Sequence, residues 1–258
     1  MDKRIAFNRK TFSDDVIIDC FNNAYFKRIE IHGIDIKNNV SETYEDNEIV
    51  KERLNKGVID KYVVAWKAGR LIGKNDEYEP QIIKDEKTGR NCYLNGYGGH
   101  IDQKSLDGYL ENVKSLWDLL KDKNNFADVY STIVNNYIDA IPDNFGSVYI
   151  INLIYFLSKG NWPIYDRFAH IALKAIVMEK HPCEIYVSGA PNKIKKYTKN
   201  KQEKPKANED VINMYMEYLW LLDYVFGGHT FKIIGRKIDR ALWVYGHAAK
   251  EYNFEIYK

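Results

Sequence analysis

Asp166 stands where a carboxylate can serve either structure or chemistry. It follows an apolar run from Val148 to Leu157, a closing Ser158-Lys159-Gly160-Asn161 and the link Trp162-Pro163-Ile164-Tyr165, and the residues after it read as a helix. An Asp at a helix mouth satisfies free backbone N–H groups, and the helix dipole favours its charge. Taken alone it reads as a cap, and its surroundings open a second reading as a reactive carboxylate. The other groups able to do chemistry form no such setting. The six histidines are scattered, and Cys20, Cys92 and Cys183 are too widely spaced for a metal pair or a disulfide framework. No glycine pattern of a Walker or dinucleotide loop is present.

The 258 residues carry 38 Lys and Arg against 36 Asp and Glu, are 45% hydrophobic and 14% aromatic, and include 20 Tyr and 5 Trp. That apolar content can bury a core, which excludes long disorder and fibrous repeats over most of the length. The net charge of +2 is an average over unlike regions. Between 193 and 206 seven lysines face the single Glu203, a local +6 that leaves −4 for the rest of the chain. The run reads as a solvated basic loop or as a phosphate-contacting segment. No stretch approaches the roughly 18 apolar residues of a membrane span, and Met1-Asp2-Lys3-Arg4 lacks the apolar run of a signal peptide. A cytoplasmic monomer with no membrane partner is the expectation.

The elements that must position Asp166 are helical. Apolar residues spaced by threes and fours predict helices over 47–68, from Ser105 through Leu120, and over 126–141. Ser105 is the expected cap of the second, and the polar, glycine-rich segment 75–104 is expected to be a long loop or insertion. Pro142 to Ser147 breaks the chain tightly before the buried helix 148–157, and the residue before Pro163 should be extended. Two more helices are expected at about 208–226, stopped by Gly227-Gly228, and at about 236–250. The fold class is therefore mainly all-α. A single unit over 1–258 is expected, with its core at 105–180 and a basic loop at 193–206.

Helix, hairpin with a glycine, buried helix, short Pro-containing link, Asp, helix is an order that resembles the helix-hairpin-helix DNA glycosylases. The residues that carry it are Ile141-Pro142-Asp143-Asn144-Phe145-Gly146-Ser147 for the hairpin, Val148–Leu157 for the second helix, and Trp162-Pro163-Ile164-Tyr165-Asp166-Arg167-Phe168-Ala169-His170 for the link and catalytic segment. The resemblance spans about residues 126–180, roughly a fifth of the chain, and nothing in the first 45 residues contributes. It implies a two-lobed helical fold of the 8-oxoguanine glycosylase kind and excision of a flipped, damaged or modified base, in repair or in defence against foreign DNA. Asp166 would stabilise the developing oxocarbenium charge and help activate the nucleophile. Backbone amides of Asn144, Phe145, Gly146 and Ser147 would hold a DNA phosphate, joined by Lys195, Lys196 and Lys199 of the basic run.

Further positions follow from the same resemblance. Trp66, Lys67, Trp243, Tyr245 and His247 would border or line the base pocket, each with core packing as the competing role. Arg167 and His170 lie on the Asp166 helix, with salt-bridging or surface roles set against DNA contact. The turn-rich Asn95-Gly96-Tyr97-Gly98-Gly99-His100 would supply a wedge or be a plain loop. Where bifunctional relatives carry a Schiff-base lysine, about 18 residues before the Asp, this chain has Val148, so base excision without strand cleavage is implied. Lys159 lies at the far end of that helix. The hairpin reads Pro-Asp-Asn-Phe-Gly rather than Pro-Gly-Val-Gly, which leaves phosphate and a monovalent cation both open as its ligand; no other cofactor is implied. Two rival readings are a DNA-binding module of the same fold without catalysis and a helical interaction protein.

Overall fold

The computed structural model describes residues 6–12, 14–27, 29–31, 34–36, 44, 48–74, 77–187, 206–227 and 231–251. Lys195, Lys196 and Lys199 lie outside the described residues, as do Gly228 and His229. The architecture is mainly helical with short antiparallel strands. Contacts group the chain into two units. One comprises residues 1–45, 163–189 and 215–258, and the other 46–162 and 190–214.

The second unit holds the longer run of sequence. Helices α3 (Glu48–Lys56) and α4 (Lys61–Lys67) stand where one helix was expected over 47–68. Gly57 takes a left-handed φ of +71°, which ends α3. Asp60 then caps α4 by accepting from the Tyr62 amide at 2.9 Å and pairs with Arg53 at 2.6 Å. The apolar spacing runs through this break because both helices bury the same side, with Val50, Ile59, Val63 and Trp66 all in the core.

The segment expected to be a loop forms strands. Strands β3 (Leu71–Lys74) and β4 (Glu77–Pro80) make one hairpin, while β5 (Ile82–Lys84), β6 (Asn91–Leu94) and β7 (His100–Asp102) make a three-stranded antiparallel sheet. Strands of three or four residues are too short for alternation to show, so only their turn residues were legible. Helix α5 (Gln103–Leu120) is capped by Asp102, not Ser105: one Asp102 oxygen accepts from both the amide and the hydroxyl of Ser105 at 2.8 Å. Helices α6 (Phe126–Tyr137) and α7 (Ser147–Leu157) follow. The latter buries Ile150 through Leu157 continuously, as its uniformly apolar sequence requires. Lys159 (φ +54°) and Gly160 (φ +79°) end it, with the Gly160 amide returning to the Tyr155 carbonyl at 2.8 Å.

The first unit contains α1 (Arg9–Phe12), α2 (Asp15–Ala24), the pair β1 (Ile29–Ile31) and β2 (Ile34–Ile36), α8 (Arg167–Met178), a 3₁₀ turn (Pro182–Glu184), α9 (Lys206–Phe226) from Tyr215 onward, and α10 (Phe231–Glu251). Helix α10 packs along α8 and α2. Phe7, Phe12, Phe21 and Tyr245 form one ring cluster, all buried, with centroids between 5.2 and 6.2 Å apart. Such ring pairs each add about 0.5–1.5 kcal/mol beyond their area burial.

Candidate functional site

Asp166 is placed by what comes before it. Ile164 and Tyr165 are buried, and the Pro163 carbonyl accepts from the Tyr215 hydroxyl at 2.6 Å, so the extended link is pinned along its length. The side chain of Asp166 then caps α8, its Oδ1 accepting from the Phe168 amide at 2.8 Å, while its carbonyl takes the first helical bond from His170. The carboxylate is half-buried and Arg167 is exposed.

Phe168 connects this cap to α10. Its ring meets His247 edge-on at 4.4 Å and Trp243 at 6.2 Å, and Trp243 stacks on His247 at 4.3 Å with the planes 12° apart. Tyr25 meets Trp243 edge-on at 5.3 Å. Trp243 and His247, two expected pocket residues, are therefore brought to the residue whose amide Asp166 caps. Both are half-buried. Tyr245 points the other way, fully buried in the Phe7 cluster with its hydroxyl accepting from the Phe7 amide at 3.2 Å. Phe168 stands in the catalytic segment without a role of its own in the resemblance, and Tyr25 lies outside it. Their only signal was aromaticity, which this chain has in excess.

His170 faces the core, not the surface. It has no solvent exposure, its Nδ1 lies 3.3 Å from the Tyr165 hydroxyl, and its Nε2 lies 3.2 Å from Glu217 Oε2 without the alignment of a hydrogen bond. Burial pushes its pKa down to about 4 against the opposing pull of Glu217, with Lys174 also lowering it. The ring is neutral at pH 7. Burial likewise lifts the Tyr165 phenol well above its usual range.

In the other unit the hairpin is a turn closed by the Phe145 amide donating to the Pro142 carbonyl at 3.2 Å. Asn144 is left-handed, φ +64°, a conformation Asn tolerates better than most residues. Gly146 occupies the cap position of α7 with no side chain to donate or accept. Phe145 is buried, stacked on Tyr149 at 5.1 Å and edge-on to Tyr109 at 5.5 Å, and Ser147 is 1% exposed. The outward part of the turn is thus Asp143, Asn144 and Gly146. The carbonyls of Pro142, Asn144 and Gly146 each already accept a bond, from Phe145 N, Asn95 Nδ2 and Tyr149 N respectively.

Trp66 is 6% exposed and packs edge-on against Phe156 at 5.7 Å, so its ring belongs to the core of its unit. Lys67 is half-buried in the last turn of α4. Lys159 lays its stem beside Gly57, where an added Cβ would meet the Lys159 Cε at 3.3 Å. Among the described residues no group of three or more His, Cys, Asp or Glu is set to hold a metal ion, and no helix is long and apolar enough to cross a membrane.

Comparison with protein families, curated proteins and solved structures returned no match. The chemistry of the chain is therefore read from its own geometry. A cleft of about 950 Å³ lies between β6, β7 and the start of α5, lined by residues such as Arg90, Asp102 and Asp107, a wall of mixed charge.

Proposed function

We propose that the chain is a monofunctional DNA glycosylase of the helix-hairpin-helix kind, which hydrolyses the N-glycosidic bond of a flipped damaged or modified base. The observation that supports this reading most is the setting of Asp166. A half-buried carboxylate at the mouth of α8 caps the amide of Phe168, whose ring carries the His247–Trp243 stack. A carboxylate stabilises the positive charge that develops on the sugar, and rings beside it suit a planar base. The left-handed turn at Asn144 and the uncapped Gly146 support phosphate contact at the positive end of α7, through the outward part of the turn. Val148, where a Schiff-base lysine would stand, supports hydrolysis without a lyase step.

Asp166→Asn is the decisive variant. Asn caps a helix about as well as Asp, so the fold is retained while the charge is removed. Wild-type protein should leave alkali-labile abasic sites in at least one member of a panel of damaged and phage-type modified DNAs. The variant should lose roughly 100-fold or more of that activity, and equal activity in the two proteins overturns the assignment.

A second reading keeps DNA contact and drops catalysis. It is favoured by the use of Asp166 Oδ1 as a helix cap, which gives the residue a structural role sufficient by itself. It requires salt-sensitive binding with no base release from any substrate in the panel.

A further inference from the structure

The turn between β6 and β7 is tied to the hairpin by a reciprocal pair of asparagines. Asn95 is 8% exposed, and its Oδ1 accepts from the amides of Tyr97 at 2.9 Å and Gly99 at 2.7 Å. Its Nδ2 donates to the carbonyl of Asn144 at 3.2 Å, and Asn144 answers by donating its own Nδ2 to the His100 carbonyl at 2.8 Å. A third tie runs from the Gly96 amide to the Tyr149 hydroxyl at 2.9 Å. Gly99 is required at the seam, because a Cβ there would lie 2.8 Å from Asn95 Nδ2 and 3.2 Å from Asn144 Cγ.

This lock spends a buried polar side chain on holding one turn against another, and it leaves Tyr97 at the tip with 87% of its surface exposed. An aromatic ring left in water on a turn braced by three hydrogen bonds is not a core residue displaced by a flexible loop. Arg70, whose Nε reaches the Asn95 carbonyl at 3.5 Å, places a positive charge at the same seam. A ring, a guanidinium and the amide end of α7 on one braced surface match a nucleic-acid strand, which offers base faces and phosphates at short repeat.

We propose that the β6–β7 turn and the hairpin form a single nucleic-acid contact surface, in which Tyr97 stacks on a base and Asn95 is the positioning residue that holds the two turns in register. The proposal rests on the DNA reading of the hairpin. Its specific content is that the loop 95–100, for which the resemblance offered a wedge role, is fixed against the hairpin by Asn95, and that Tyr97 is the ring it presents.

Two measurements separate the lock from the DNA reading. Hydrogen exchange of the full chain without DNA compares wild type with Asn95→Asp, which keeps the acceptors for Tyr97 and Gly99 but loses the donor to Asn144. Exchange should rise together in 96–100 and 142–147, and a rise confined to the first segment overturns the lock. Gly99→Ala, which displaces the same Nδ2, repeats the test should the first variant fold poorly. Titration at low salt with a short duplex bearing one abasic-site analogue then compares wild type, Tyr97→Ala and Asn95→Asp. Each variant should bind roughly ten-fold more weakly, with the unfolding midpoint of Tyr97→Ala unchanged. Wild-type affinity in Tyr97→Ala overturns the stacking role and leaves the DNA reading standing. No binding by wild type overturns the DNA reading and this surface with it, whatever the exchange data say of the lock.

Discussion

Gly246 of α10 lies directly over the carbonyl of Phe168 in α8. A Cβ at 246 would overlap that oxygen and its carbon, and would also stand 3.3 Å from the Ala172 amide. All three atoms are backbone, so no side chain can swing away. Gly246 is therefore what permits the close approach that puts Trp243 and His247, on the same helix, against the Phe168 ring.

Gly246→Ala should destabilise the first unit by about 1–3 kcal/mol, the usual cost of forcing an extra methyl into a packed contact. Glycine's own helix penalty of about 1 kcal/mol acts in the opposite sense, so a net stabilisation in urea unfolding would show that α8 and α10 can separate freely. Base release, where it occurs in wild type, should fall along with stability, because the His247–Phe168 contact is displaced.

His170 makes stability depend on pH. Its folded-state pKa of about 4 lies below the ordinary value of 6.5, so the unfolded chain binds the proton more readily. The stabilising contribution is complete above about pH 6.5 and is lost as pH falls toward 4, on the order of 3 kcal/mol in all. Glu217, Lys174, Tyr165 and Tyr218 are the groups that face the ring. Urea titrations at pH 4.5 and 7 should show this difference in wild type and a smaller one in His170→Phe.

Asp60 does two jobs at the break between α3 and α4, capping Tyr62 and pairing with Arg53. Asp60→Asn keeps the cap and loses the charge pair, whose partners are largely but not fully buried. It should cost less than Asp60→Ala, which loses the cap as well and should cost about 1–2 kcal/mol. Chemical unfolding of the two variants checks the order, and equal losses would assign the whole effect to Arg53.

Trp66 and Trp243 should part company when truncated. Trp66→Ala opens a cavity beside Phe156 and should cost about 3–5 kcal/mol. Trp243 is half-buried, so Trp243→Ala should cost less in stability while removing the ring that stacks on His247. Paired unfolding and DNA-binding measurements distinguish them: a binding loss confined to Trp243→Ala is the expected pattern.

Features written within a few residues were legible in the sequence. The cap at Asp166, the end of α7 at Lys159 and Gly160 and the stop at Gly227 each depend on one side chain or one φ angle, and the structure places them where their residue types require, whereas α6 ends at Tyr137, short of the expected break at Pro142. The break at Gly57 to Asp60 used equally local signals, yet the apolar spacing passed through it and hid them. Strands β3 to β7 were not legible because each is stabilised by bonds to a partner strand, and segments of three or four residues carry no period of their own.

By itself, then, the chain of residues determined a mainly helical protein, the position of the Asp166 cap after its Pro-containing link, and the absence of a lysine at 148. Only the tertiary structure decided that Tyr245 packs into a core while Trp243 and His247, two residues to either side, meet Phe168. Only it decided that Asn95 grips Asn144 across 49 positions. The physical reason is common to both. A cap or a stop is satisfied by its neighbours in sequence, whereas the direction of a ring or an amide is chosen by whichever distant group fills the space and completes the hydrogen bond.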